Sequence, residues 1–455
     1  MRLHLPTLLL PLLAACPDRE MSAVIPSQDK VETVTYPVST ERDLDLLFVI
    51  DNSVSMAEEQ AALAANFPQF INVLANLDGG LPNVHIGVVS SDMGGLGALG
   101  PGSGCDGRGD DGVLQARAAC GISGLYLSDV DDGAGGRTVN YAGGSLASAF
   151  SCAATIGDQG CGFEQHLESM RRALTPGHAA NAGFLRDDAY LAVVFVADED
   201  DCSARDPALF GPDSASLGPL ESFRCFEFGV ECDPVADVRA VGPRTSCTPR
   251  QDSDYLHDVS GYVDFLLGLK RRPEDIVVAG ILSNAEPVVV GRKVRQAQGD
   301  MVPDLVPSCT YVGPDGPQGA RPAIRLHWFL EQFANRNTVT TICDDDLSDA
   351  LVEIGELVRE VIGDPCIEGN LADVDPVTAG VQASCAVSDV TDRGTETERE
   401  DPVPACNADA SNLPCWRLKP DAMQCARYPT QLAMDVVRAS PAPDDTDVVA
   451  RCVTQ

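Results

Sequence analysis

Short, nearly continuous apolar runs alternate along this chain with segments whose apolar residues recur every three or four positions. The first run, Leu44 to Ile50, is apolar at every position but Asp45. Its length and richness predict a strand buried on both faces, and it leads directly into Asp51. Leu63, Phe67, Phe70, Leu74 and Leu77 then mark one apolar face of a helix, with a bend expected at Pro68. Val84 to Ser90 predicts a second strand. A helix bearing Phe163, Leu167, Met170 and Leu174 precedes a strand at Tyr190 to Ala197. A helix over Tyr255 to Leu269, capped by Asp252 or Ser253, precedes a strand at Ile276 to Leu282. A helix around Leu326 to Phe333, a strand at Thr338 to Cys343 and a helix bearing Leu347, Leu351, Ile354, Val358 and Val361 complete the series. Repeated alternation of this kind predicts an α/β fold, a mostly parallel sheet with helices on both faces.

Two stretches interrupt the pattern. Residues 92–150 are rich in Gly and Asp, and residues 202–250 carry Cys202, Cys225, Cys232 and Cys247 among prolines and acids. Both read as long insertions held by disulfides, because unstapled loops of that length are costly to order. After Gly363 the pattern changes to short alternating runs such as Gln431 to Arg438. Six cysteines, Cys366, Cys385, Cys406, Cys415, Cys425 and Cys452, fall in this region. It reads as a small, strand-rich, disulfide-stabilised module whose pairing the sequence leaves open.

Composition sharpens the setting. Asp and Glu number 68 against 32 Lys and Arg, a formal charge of −36 that repels phosphate backbones and argues against nucleic acid as a partner. Seventeen cysteines, none in a Cys-x-x-Cys pair, point to disulfides and hence to an oxidising compartment. The N-terminus supplies a matching export signal: Arg2, an apolar core from Leu8 to Leu13 broken only by Pro11, and then Leu13-Ala14-Ala15-Cys16. That tetrapeptide resembles the bacterial lipobox, which implies cleavage before Cys16 and a lipid on its thiol, leaving an even number of cysteines to pair. Residues 17–43, polar and punctuated by Pro17, Pro26 and Pro37, read as a tether.

The candidate chemistry sits where the first strand ends. Asp51, Ser53 and Ser55 place a carboxylate and two hydroxyls between a buried strand and the helix after it. Open α/β sheets bind ligands at that edge, and hard oxygen donors of this kind suit Mg²⁺. A second strand, Val193-Val194-Phe195-Val196-Ala197, ends in Asp198.

On these residues the chain resembles the von Willebrand factor A (vWA) family over roughly residues 44–363. The family's metal-ion-dependent adhesion site uses Asp-x-Ser-x-Ser, a threonine from a later loop and an aspartate after the fourth strand. The resemblance implies a six-stranded, doubly wound sheet. It also implies Mg²⁺, with Mn²⁺ or Ca²⁺ as alternatives, held by Asp51, Ser53, Ser55 and Asp198, the serines directly and Asp51 largely through water. The threonine position departs from the family pattern and reads Gly160-Cys161-Gly162-Phe163-Glu164. Thr155 is the nearest threonine upstream, and Glu164 offers an oxygen instead.

The resulting scheme is a lipoprotein signal peptide over 1–15, a lipidated N-terminus and tether over 16–43, a vWA domain over 44–363 and a cysteine-rich module over 364–455. By resemblance, the expected function is non-enzymatic: metal-dependent adhesion at the cell envelope, at the outer membrane, with the ion completed by an acidic side chain of a protein partner. Membrane contact is expected only through the lipid, and no small-molecule substrate is expected. The alternative is a structural envelope protein whose ion only braces loops. A hydrolase comes third, because Ser53 stands where haloacid-dehalogenase-type enzymes need a second acid, and no Gly-x-Ser-x-Gly, phosphate loop or His-Glu-x-x-His occurs. Arg108-Gly109-Asp110 reads as a chance tripeptide and Asp129 to Asn140 as a solvated acidic turn. Glu199 to Asp201 read as an acidic rim, and His85 and His166 as structural or surface residues.

Overall fold

The structure is a computed structural model and describes residues 30–37 and 43–454, apart from 78–79, 100–103, 117, 296–298, 314–315, 345, 363–365, 368–369, 376, 378–381, 394, 423–424, 426–427, 441 and 443–445. The signal peptide, Cys16 and the boundary at 363 lie outside the described residues.

In chain order, β1 (Lys30–Pro37) precedes β2 (Asp43–Ile50), α1 (Ala57–Ala75) and β3 (Asn83–Ser90). The first insertion carries β4 (Leu127–Asp131), β5 (Arg137–Val139) and α2 (Leu146–Ala154). α3 (His166–Leu174) and β6 (Tyr190–Ala197) follow. The second insertion holds α4 (Ser214–Leu217), α5 (Phe223–Gly229), β7 (Val230–Glu231), β8 (Gly242–Arg244) and β9 (Thr248–Pro249). Next come α6 (Val259–Leu267), β10 (Ile276–Leu282), β11 (Val288–Val294), β12 (Met301–Leu305), β13 (Cys309–Gly313), β14 (Gly316–Ala320), α7 (Ile324–Glu331), β15 (Asn337–Thr341) and α8 (Ser348–Ile362).

The main sheet has seven strands in the order β15-β10-β6-β2-β3-β4-β5. The five from β15 to β3 run parallel. β4 and β5 add antiparallel at the edge, so the six-stranded expectation is corrected by one hairpin drawn from the first insertion. β2 lies at the centre and is buried on both faces, which its apolar run requires. Leu44, Leu46, Phe48 and Ile50 pack with α1, α2 and α8, while Leu47 and Val49 pack with α3, α6 and α7. Each such side chain contributes about 1.5–3 kcal/mol relative to exposure. α1 runs through Pro68 without a break. The helix expected over 255–269 spans Val259–Leu267 with Asp258 at its N-cap, so neither Asp252 nor Ser253 caps it. Ser253 instead accepts from the Tyr255 and Leu256 amides.

Between β10 and α7 the chain builds structure that its periodicity did not announce. β11 pairs with β12 and with β8 of the second insertion, and β13–β14 forms a separate two-stranded hairpin. The C-terminal region is strand-rich as expected, with β16 (Cys385–Thr391), β17 (Arg399–Val403), β18 (Cys415–Pro420), β19 (Leu432–Val437) and β20 (Thr446–Thr454). The expected tether is corrected in part, because residues 30–37 form β1 and pair along β20 from Lys30↔Thr454 to Pro37↔Asp447. Arg272 donates to Asp447 at 2.9 Å and ties this module to the main domain.

Eight disulfides join sixteen cysteines: 105–161, 120–152, 202–225, 232–247, 309–343, 366–425, 385–452 and 406–415. The last three pair the six C-terminal cysteines among themselves. Cys16 is the remaining cysteine of the seventeen.

Candidate functional site

The parallel register sets the site. Ile50 lies opposite Val196, so Asp51 and Asp198 leave neighbouring strands within a residue of the same level. The Asp51 amide still donates to Val196 O at 2.9 Å, which holds the two strand tips together. Beyond Asp51 the chain turns through Val54–Met56 into α1. In that turn the Ser53 amide donates to Asp51 Oδ1 at 2.7 Å. Ser53 Oγ lies 3.2 Å from Ser55 Oγ, and the Ser55 side chain acts on Asp198, offsetting part of the rise in its pKa. The two serines of the motif thus lie between the two aspartates of neighbouring strands.

The remaining oxygens are unsatisfied. Asp51 Oδ2 and Asp198 Oδ1 are buried without a hydrogen-bond partner, as is Asn52 Oδ1 beside them. Asp51 is 0% and Asp198 5% exposed, while Ser55 is exposed and opens one side of the cluster. Burial, the Asp51 charge and the Glu199 charge push the Asp198 carboxyl well above its ordinary range. Glu164 is driven the same way by burial and by Glu199, Asp51 and Asp198. Glu59, whose carboxylate accepts from Tyr311, is also raised by burial. Crowded acids with unpaired oxygens are unfavourable in a low-dielectric interior unless a cation meets them. Two carboxylates and two hydroxyls fit a hard divalent ion. Among the described residues no group of three or more His, Cys, Asp or Glu side chains is arranged to hold a metal.

The surrounding loops are fixed by groups that carry no motif. Gln60 donates to Asp51 O and to Gly157 O, each at 2.9 Å, and clamps the loop before α3 to the end of β2. Gly160 packs so closely that a Cβ there would lie 2.2 Å from Asn52 Oδ1. The Gln165 amide donates to Ser91 O at 2.9 Å, and the Cys202 amide to Glu164 O at 2.7 Å. Asp201 accepts from the Leu167 amide at the start of α3 and pairs with the buried Arg325. Asp200 accepts from the Arg325 and Leu326 amides at the start of α7, with its pKa raised to about 6 by burial. Glu199 pairs with Arg321. The acidic-rim expectation for residues 199–201 is thus corrected: these acids brace helices and an arginine.

No family model matches the chain, and no curated protein sequence does. Among solved structures the chain is similar to the pilus adhesin SpaC from Lactobacillus rhamnosus GG in its open conformation. That match has 10% identity and a TM-score of 0.31, covering 94% of this chain and 41% of that one. It is also similar to the pilus adhesin RrgA from Streptococcus pneumoniae at 10% identity and a TM-score of 0.27, covering 95% of this chain and 60% of that one. The chain thus spans less than two thirds of either protein. At these scores the likeness is distant, and the functional reading rests on the side chains above.

The structure brings Asp51, Ser53, Ser55 and Asp198 together and keeps Glu164 within electrostatic reach of both aspartates. Thr155 is exposed at the end of α2 and its hydroxyl donates to Ser151 O, so nothing aims it at the cluster. His166, read as structural or surface, is fully buried with Nε2 3.7 Å from Asp51 Oδ2. Its position at the start of α3 was the one available signal. His85 is structural, its Nδ1 lying 2.9 Å from Phe184 O. Asp110 of the Arg-Gly-Asp tripeptide accepts from Ser90, and the Asp129–Asn140 stretch is the β4–β5 hairpin.

Proposed function

We propose that this chain is a vWA-type, divalent-cation-dependent protein-binding module of the bacterial cell envelope. One observation carries the reading: Asp51 Oδ2 and Asp198 Oδ1 are buried without a hydrogen-bond partner at neighbouring strand tips, with Ser53 and Ser55 beside them. A divalent cation, Mg²⁺ first and Mn²⁺ or Ca²⁺ as alternatives, would supply the positive charge these oxygens lack and a coordination position for an oxygen of the partner. The protein's own groups do the orienting. The Ser53 amide holds Oδ1 of Asp51 and leaves Oδ2 without a hydrogen bond, while Gln60 fixes the main chain behind it. Exposed Ser55 and Val54 mark the side from which a partner reaches the site. Lipidation at Cys16 would hold the module at the outer membrane. No helix among the described residues is long and apolar enough to cross a membrane.

Calorimetric titration of the metal-free protein tests the reading. Millimolar or tighter binding of Mg²⁺ or Mn²⁺ is expected, with Asp51→Ala and Asp198→Ala abolishing it while circular dichroism stays native. Absence of binding to the wild type sinks the proposal. Burial of Asp51 and Asp198 also favours a second reading, in which the ion only braces loops. Chelation separates the two: a bracing ion shifts the melting temperature strongly and partner capture little, and a docking ion does the reverse.

A further inference from the structure

β13 alternates as a strand with one face turned inward must. Cys309, Tyr311 and Gly313 are half-buried, while Thr310 and Val312 between them are exposed. Each inward residue meets the main domain. Cys309 is bonded to Cys343, just beyond the end of β15. The Tyr311 hydroxyl donates to Glu59 in the first turn of α1. Gly313 lies so close to Glu58 in the same turn that a Cβ there would overlap the Glu58 carboxylate. The other end of the hairpin is pinned to β6. β14 ends at Ala320, and the next residue, Arg321, donates its amide to Asp198 O at 2.8 Å. The Ser283 hydroxyl holds the same corner by donating to Arg321 O. One short hairpin thus touches both halves of the candidate site, the strand tip that carries Asp198 and the helix that follows Ser53 and Ser55.

That helix needs outside support at its start. Neither the Val54–Met56 turn nor α1 has a side-chain cap, so no local hydrogen bond of that kind fixes how α1 leaves the motif. Tertiary contacts take over. Gln60 ties the first turn of α1 to Asp51 O and to Gly157 O. Glu59, its neighbour in sequence, ties the same turn to the hairpin through Tyr311. Gln60 therefore sets the turn against β2, and Tyr311 sets it against the element that also holds the Asp198 main chain. Donors brought together from separate segments bind an ion only as well as the surrounding contacts hold them in place.

We propose that Tyr311 is a positioning residue of the cation site: by holding Glu59 it fixes the uncapped start of α1, and with it Ser53 and Ser55, relative to Asp198. The Cys309–Cys343 disulfide keeps the hairpin that carries Tyr311 in place. The inference rests on the cation-dependent reading above and adds to it a residue that supplies no donor to the ion.

Tyr311→Phe in the full chain provides the test, since it removes one hydroxyl and keeps the ring. Calorimetry is expected to show Mn²⁺ bound about five-fold more weakly than by the wild type. Hydrogen exchange of the metal-free protein reads the brace without the ion. The Ser53 amide donates to Asp51 Oδ1 and the Met56 amide to Ser53 O, so both report opening of the turn. Their exchange is expected to quicken about five-fold in the variant. Tyr126→Phe is the control: that hydroxyl donates to Gly183 O at 2.9 Å beside His85, away from the site, and its loss should leave both readouts unchanged. Joint replacement of Cys309 and Cys343 by serine is expected to shift both in the same direction as Tyr311→Phe. A dissociation constant or an exchange rate unchanged in Tyr311→Phe, or an equal effect of Tyr126→Phe, overturns the inference and leaves the cation site standing. Failure of the wild type to bind Mn²⁺ overturns the cation site and this inference together.

Discussion

Nε2 of His166 stands 3.7 Å from Oδ2 of Asp51, and neither atom has a hydrogen-bond partner. Both side chains are fully buried. Unsatisfied polar atoms in such a position are held there by the fold, and groups just behind a metal ligand orient it and tune its affinity. His166→Asn is therefore expected to weaken Mn²⁺ binding about ten-fold or more. Calorimetry beside thermal melting of the metal-free form checks it: a purely structural histidine would lower the melting temperature and leave the dissociation constant alone.

The crowded acids set a trade between stability and binding. Asp198→Asn removes a buried charge that faces Asp51 and Glu199. The metal-free variant is expected to be more stable than the wild type by about 1–3 kcal/mol and to gain nothing from Mg²⁺. Urea titrations with and without the ion measure both effects, and a less stable metal-free variant contradicts the charge argument.

Stability should depend on pH in the direction those raised carboxyls dictate. Asp198, Glu164 and Glu199 are raised by burial, and Asp200 is raised to about 6. A carboxyl whose folded pKa exceeds its unfolded one favours folding fully below the unfolded value, and that contribution is lost as pH rises through the folded value. The chelated protein is thus expected to lose melting temperature from about pH 4 through pH 6 and above, with Mg²⁺ restoring it at pH 7.5. A melting temperature that rises steadily over that range without metal would falsify the assignment.

The disulfides differ in what they hold. Cys105–Cys161 anchors the first insertion to the segment carrying Glu164 and His166, across a separation of 56 residues. Cys406–Cys415 closes a separation of only 9 in the C-terminal module. Replacing the first pair by serine is expected to cost about 2–4 kcal/mol and weaken Mn²⁺ binding several-fold. Replacing the second should leave the dissociation constant unchanged, and equal effects of the two on binding would rule out the anchoring role.

β1 closes the C-terminal sheet by pairing along β20. Deleting residues up to 37 exposes an unpaired strand edge. Faster cleavage within 364–455 by limited proteolysis is expected, with the main domain remaining intact. Equal protection of the shortened and full chains would show that β1 adds nothing to the module.

Much of this was legible in the sequence because burial on both faces leaves a one-dimensional trace. Leu44 to Ile50 and Tyr190 to Ala197 could only be central strands, and the chain must turn polar where they end, at Asp51 and Asp198. The spacing of Asp51, Ser53 and Ser55 placed three oxygens in one turn before any coordinates. The β11–β14 region escaped because β11, β13 and β14 are partly exposed and the strands are mixed with Pro and Gly, so no clean period marks them. Residues 30–37 escaped because an edge strand's partner, β20, lies more than four hundred residues away.

Local pattern by itself therefore determined the α/β class, the strands that carry the site and the residue types at their tips, since each follows from neighbours in sequence. Tertiary structure alone decided the rest. Parallel pairing of β2 with β6 brought Asp51 level with Asp198, and the packing of α3 set His166 and Glu164 behind them. Position in space fixes electrostatic environment, and the partnerless oxygens of Asp51 and Asp198 come from contacts between segments that no spacing along the chain encodes.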